Sequence, residues 1–175
     1  QRQLDDGKVA ELRRDLGGYY DNDFAKRYQQ DAGTTIDHGA LLASLSAPAV
    51  ALQHTFVRAN PHPLGSKHLL DVVAGDTSDY AKAHARFDPM LRGYLDTHGL
   101  YDVFLVDAQT GDVVFTVFKE LDFATNLRTG AWRDTGLGKT FAKVLASGDD
   151  AIVMSDYARY ALSYEAPAAF LGTKI

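Results

Sequence analysis

The stretches TGAWRDTG and SDYARYALSY hold the side chains best suited to gripping a small polar molecule. In the first, Trp132 offers a flat apolar wall, Arg133 a fork that pairs bidentately with a carboxylate, and Asp134 an acceptor for an amine. The trio suits a zwitterion or an organic acid, so the expected partner is a small polar ligand of amino-acid or organic-acid type. The competing reading is that Trp132 plugs a sheet while the two charges face water. In the second stretch, Asp156, Tyr157, Arg159, Tyr160 and Tyr164 combine apolar contact with hydroxyls that orient a polar ligand. The same tyrosines serve equally well as plugs that satisfy an irregular backbone. Tyr101 stands beside Phe104, Phe115 and Phe118 in an aromatic hairpin. Buried rings contribute on the order of 1.5 to 3 kcal/mol each by area, so core duty is their first reading and ligand contact by Tyr101 the second.

Other chemistries find less support. There is no cysteine, which removes disulfides, thiolate metal sites and cysteine nucleophiles together. Of the six histidines, His68 and His84 converge with Asp71 only if two helices pack face to face. His62 lies close in sequence, but no HExxH-like spacing occurs, and no metal is expected. GDTSD brings oxygen ligands together without the longer loop and terminal glutamate of a calcium hand, and its Ser78 equally caps a helix. GxSxG, GxxxxGK(S/T) and GxGxxG are missing, and GLGK is too short to cradle phosphates, so neither catalysis nor a cofactor is expected. A net charge of -5 without a basic, aromatic-laced stripe argues against nucleic acid. KVAELRR is a mixed-charge surface suited to packing in a helix pair, including across a homodimer.

Positioning these groups falls first to helices. Leu4, Val9, Leu12, Leu16, Tyr20 and Phe24 recur at helical spacing, with an interruption or weakening expected at Gly17-Gly18. Leu41, Leu42, Leu45, Val50, Leu52 and Phe56 mark a second helical stretch that stops before Pro61, with Pro48 read as either a first turn after Ser46 or a kink. Tyr80, His84, Phe87, Leu91, Tyr94 and Leu95 mark a third, closed by Gly99 and expected to bend or split at Pro89.

Only after Gly99 does the period change to two. YDVFLVDAQTGDVVFTVFKE alternates as a hairpin turning at Gly111, with apolar groups on both faces, so the sheet is expected to be covered on both sides. In LDFATN, Asp122 and Asn126 suit turn capping through backbone N–H groups. A helix from about Leu137 to Ala146 follows, then strands in AIVMSDY and AAFLGTKI around a turn-rich crossing. An apolar last strand leaves an open sheet edge, so the natural domain is expected to run past Ile175, the sheet here being truncated after residue 175. The composition, 46% hydrophobic and 23% charged, is that of a globular chain and not of a disordered one. No apolar run approaches the roughly 18 to 20 residues needed to cross a bilayer. The start at Gln1, without methionine, reads as a processed product or an excised piece.

ANPHPLGSKHLLD, AKAHARFDPMLRGYLDTHGLYDVFLVDAQTGDVVFTVFKELDFATNL and YALSYEAPAAFLGTKI, in that order, resemble extracytoplasmic PAS-like Cache-type sensor domains of bacterial transmembrane receptors, including chemoreceptors, sensor kinases and cyclases. The likeness covers roughly residues 53–175. It implies an α+β fold, with a helical region over residues 1–98 that includes a long N-terminal helix, and a PAS-like antiparallel sheet over residues 99–175, packed as one unit. It also implies a pocket between sheet and loops, with TGAWRDTG at its wall. The corresponding function is non-covalent small-molecule sensing, not catalysis, in the periplasmic or extracellular part of an inner-membrane receptor. The alternative is an interaction or dimerisation module without a small-molecule ligand.

Overall fold

The structure, a computed structural model, describes residues 5–175; Leu4 of the first helical pattern lies outside the described residues. The Asp5 side chain accepts the Lys8 amide at 2.8 Å and starts α1 (Asp6–Tyr19). A single π turn (Tyr20–Phe24) then leads without a break in right-handed geometry into α2 (Ala25–Ala32), which ends at a left-handed Gly33. The expected interruption at Gly17-Gly18 is not there. A Cβ on Gly17 would lie 3.2 Å from Leu42, so this glycine serves close helix approach. The extra residue in the π turn lets Tyr20, Phe24 and Tyr28 all point inward, their rings in series at 6.3 and 5.7 Å.

Two short helices, α3 (His38–Ala43) and α4 (Ala47–Gln53), turn the chain back, and α4 continues as a second π turn (His54–Arg58). Ser46 caps α4 and Pro48 sits in its first turn, which resolves the two readings of that proline. Ser78 caps α5 (Asp79–His98), which runs unbroken past Pro89 to a left-handed Gly99. The proline ring faces solvent, while the preceding Asp88 is held by the buried Lys119. Asp88 also changes the inward face of the helix. Phe87 and Tyr94, expected inward, are 43% and 53% exposed, and Asp88 is fully buried instead.

β1 (Phe104–Val106) and β2 (Val113–Thr116) form the hairpin, with Leu105 opposite Phe115 and a bulge before Val106. Its turn is held by the Asp107 carboxylate, which accepts the Gln109 and Thr110 amides, and by Gly111 at φ +83°. α6 (Gly136–Ala146) follows. β3 (Val153–Met154) pairs with β6 (Leu171–Gly172), and β4 (Ala158–Arg159) with β5 (Pro167–Ala168), all antiparallel. The architecture is thus α+β, an N-terminal helical region followed by small antiparallel sheets. One curved sheet was expected; three separate two-stranded ladders are observed among the described residues. Nor is every hairpin face covered, since Val114 is 40% exposed.

One buried apolar cluster contains Leu16, Tyr20 and Phe24 of the first helices together with Phe123, Trp132, Tyr160 and Leu162 of the later half. A buried amide bolts the two halves together. Gln53 donates to the carbonyls of Leu121 and Phe123 at 3.2 and 2.6 Å and accepts the Tyr20 hydroxyl at 2.6 Å. Among the described residues, no helix is long and apolar enough to cross a membrane.

Candidate functional site

The hairpin exit, residues 119–122 (KELD), is where the chemistry gathers. Lys119 takes a left-handed backbone, φ +54°, which is unusual for a side chain of its size. Its ammonium is fully buried and lies 2.7 Å from the equally buried Asp88 of α5. It also donates to the Thr116 and Val117 carbonyls at 3.2 Å and sits 4.8 Å from the Phe115 ring. His84, one turn before Asp88 on the same helix, approaches its carboxylate at 3.1 Å, and Arg92 approaches from the other side at 3.7 Å. Burial pushes the Asp88 carboxyl up, but His84 and Lys119 outweigh that and hold it below its usual range. Burial lowers Lys119, with Asp88 opposing. Lys119 is therefore committed to α5.

Among the described residues, the three carboxylates around it have no such cation. Asp102 uses one oxygen to accept the amides of Val103, Val117 and Phe118 at 2.7, 2.9 and 3.2 Å, closing the hairpin mouth. Burial, then the charge of Asp122, push its carboxyl up to about 7 against those N–H groups. Asp122 accepts the Tyr160 hydroxyl at 2.7 Å on one oxygen, while the other is buried with no partner. Burial pushes it up to about 6. Glu120 is driven well above the usual carboxylate range by burial and by Asp122 and Asp102, with the Tyr101 hydroxyl working the other way.

Glu120 borders a hollow of about 10 Å³, enough for one water-sized group, walled also by Tyr19, Phe24, Val57, Leu64, Leu121 and Tyr164. Tyr19 comes from α1, is 5% exposed, and its buried hydroxyl has no partner among the described residues. Tyr164 and Glu165 are both left-handed, at φ +51° and +66°. The Glu165 carboxylate accepts the Tyr28 hydroxyl, and the Tyr164 ring lies 6.3 Å from that of Tyr28. Burial pushes the Tyr164 hydroxyl up to about 12.

The structure brings together three of the eight site residues expected from sequence. Tyr101 stacks on Phe118 (5.5 Å, 7°) and reaches Glu120; Tyr160 holds Asp122; Tyr164 walls the hollow. Trp132 lies in the core, 4% exposed, its ring 6.0 Å from that of Tyr160. Arg133 and Asp134 are exposed and pair with one another at 2.9 Å. Asp156 and Tyr157 are exposed, the latter by 75%, and Asp156 accepts the Tyr157 amide. The hollow therefore sits at the helix-to-hairpin contact and not beside TGAWRDTG.

The remaining expectations fall into place locally. Asn126 accepts the Arg128 and Thr129 amides and donates to Thr110 and Asp112, tying the hairpin exit to the next loop. The Asp122 side chain accepts the Tyr160 hydroxyl, and the backbone N–H groups of Asp122 and Phe123 also favour its ionised form. Asp76 accepts the Ser78 amide and Ser78 caps α5, which occupies GDTSD. His68 packs against Phe118 at 4.5 Å with the rings tilted by 42°, Asp71 pairs with Arg92, and His84 faces Asp88, so His68, His84 and Asp71 are engaged separately. No group of three or more metal-ligating side chains occurs among the described residues.

A second, larger hollow of about 180 Å³ lies where the α3–α4 corner meets the hairpin exit, lined by Ser44, Ser46, Asp112, Thr125, Asn126 and Thr129. Its hydroxyls and amide are spent on local structure. Ser44 bonds the Leu41 carbonyl, Ser46 caps α4, Thr125 bonds the Asp122 carbonyl, and Asn126 is fully bonded as above. In the smaller hollow, by contrast, the Tyr19 hydroxyl lacks a partner among the described residues. Compared with protein-family models, with curated proteins and with solved structures, the chain matches none.

Proposed function

We propose that the chain is a PAS-like, Cache-type extracytoplasmic sensor module of a bacterial transmembrane receptor, and that its ligand site opens at the contact between Tyr19 and Glu120, where the hollow in this arrangement admits one water-sized group. The reading is supported by the order of the sequence motifs and by one observation above others. The hollow joins a residue of the long first helix, Tyr19, to the loop after the hairpin, Glu120, leaving the Tyr19 hydroxyl without a partner. A ligand bridging the two would draw α1 and α2 against the hairpin exit, and the helix would carry that shift toward the membrane, alone or in a homodimer. Such a ligand biases the helix only through its difference in affinity for the two arrangements. Thermal-shift screening against amino acids, short organic acids, amines, purines and divalent metals, followed by calorimetry, tests this. A ligand that prefers the folded state raises the melting temperature, and Tyr19→Phe weakens its binding. Silence in both assays from verified folded protein overturns the sensor reading.

An interaction module is the second reading, favoured by the β3–β6 ladder. Met154 and Leu171 face each other in register and are 70% and 68% exposed, with Ile152 and Tyr157 similarly bare. Sedimentation tests it: self-association abolished by Leu171→Asp supports the module, and a monomer across concentrations removes it.

A further inference from the structure

The two π turns of the helical half lie against each other and share one buried hydrogen bond. In the first, the Ala25 N–H reaches back five residues to the Tyr20 carbonyl; in the second, the Ala59 N–H reaches the His54 carbonyl at 2.8 Å. Each turn holds one residue more than an α-helix would, a rare geometry found mostly as single insertions in α-helices. Loss of that extra residue from a turn rotates the preceding helix by about 100° and shifts it by about 1.5 Å.

Tyr20 opens the first π turn and Gln53 directly precedes the second; the Tyr20 hydroxyl donates to the Gln53 side-chain oxygen at 2.6 Å, with both residues buried. Around this bond the Asp15 carboxylate of α1 meets His54 and Arg58 of the second turn at 2.9 and 3.1 Å, and Arg13 donates to the Leu42 and Leu45 carbonyls before α4. If one turn alone relaxed to α geometry, Tyr20 would leave Gln53 and strand a buried hydroxyl and a buried amide oxygen, which is costly. A joint movement of α1 and α4 keeps the bond. Packing at this level is also incomplete, because the buried Tyr19 hydroxyl has no partner among the described residues and borders a hollow of about 10 Å³. We propose that the two π turns form one joint that opens as a unit short of global unfolding, and that the hairpin exit opens with it, since the Gln53 amide holds the Leu121 and Phe123 carbonyls. The joint belongs to the fold and does not depend on a ligand.

Native-state hydrogen exchange on the whole chain, read by NMR, tests this. The Ala25, Ala59 and Phe123 amides should share one protection factor, about tenfold or more below that of Leu95 in α5, which reports global unfolding. Tyr20→Phe keeps the ring and deletes the shared bond, so the Ala25 and Ala59 amides should then part by several-fold. Protection of Ala25 and Ala59 that differs by more than about tenfold in the parent chain, that equals Leu95, or that stays matched in Tyr20→Phe overturns the joint. A Phe123 amide that exchanges with Leu95 and not with Ala25 overturns its link to the hairpin exit.

Discussion

Replacing Lys119 with methionine keeps the aliphatic stem and the left-handed backbone but deletes the buried charge facing Asp88. The pair lies at 2.7 Å with neither side chain exposed, for which the gross attraction at an effective dielectric near 20 is about 6 kcal/mol. Not all of it is lost. Asp88 keeps Arg92 at 3.7 Å and His84 at 3.1 Å, and the Thr116 and Val117 carbonyls lose a donor. The expected destabilisation of Lys119→Met is about 3 to 5 kcal/mol, the range for stranding one partner of a buried pair. Asp88→Asn should cost a comparable amount by stranding the ammonium. Because each single change leaves one charge without its nearest partner, the double variant should be more stable than the sum of the two predicts, by about 2 kcal/mol or more. Urea unfolding at neutral pH measures all four corners of the cycle. A loss under about 1 kcal/mol for Lys119→Met, or single costs that add to within about 0.5 kcal/mol, would refute the claim that this pair pins the hairpin exit to α5.

Three further outcomes follow from the same geometry. Asp102 and Asp122 have folded-state values raised to about 7 and about 6 from 3.8, so the folded chain holds protons that the unfolded chain has released. Their contribution is full below about pH 4 and is lost as pH rises through about 6 to 7, so urea melts should show stability falling across that interval. Asp122→Asn should flatten the lower part of the curve, by up to roughly 3 kcal/mol for a fully buried group; an unchanged slope counts against the burial argument. Gln53→Ala removes one amide and strands the Tyr20 hydroxyl and two carbonyls, so chemical denaturation should register a loss of about 3 kcal/mol or more, against about 1 kcal/mol for Tyr20→Phe. Gly18→Ala meets nothing within 4 Å and should stabilise by roughly 0.5 to 1 kcal/mol, whereas Gly17→Ala, crowded by Leu42 at 3.2 Å, should gain less; equal melting temperatures for the two would remove the close-approach explanation.

Much of the fold was legible because local signals carry it. The Ser46 and Ser78 caps, the Gly99 stop and the turn at Gly111 each depend on a few neighbouring residues. What escaped depends on contacts far apart in sequence. Phe87 is more apolar than Asp88, yet Asp88 faces inward because Lys119, 31 residues on, supplies its counter-charge. The π turn at Tyr20–Phe24 has no local marker, since it is the neighbouring core that selects which rings turn inward. At the site, aromatic character singles out Trp132 and the later tyrosines, while nothing in the type or spacing of Glu120 singles it out. The available clue was KELD itself, three charges directly after an aromatic strand, with His84 and Asp88 four apart on a helix that must cover it.

The two buried arrangements are linked through a single peptide. Lys119 is anchored to α5, and the next residue, Glu120, faces Tyr19 of α1 across the hollow. A change that pulls Glu120 toward α1 must therefore either strain the Lys119 anchor or carry α5 with it. Strain already present at Lys119, a left-handed residue other than glycine, is of order 1 kcal/mol or more, so the anchor has little slack. If the hollow binds a ligand, Lys119→Met should then do more than destabilise: it should uncouple ligand affinity from α5. Hydrogen exchange of α5 amides on ligand addition reports this directly. Slowed exchange in the parent chain that disappears in the variant, with binding retained, is the expected result. Equal protection of α5 in both would show that α1 and the hairpin exit close on the ligand without the buried pair.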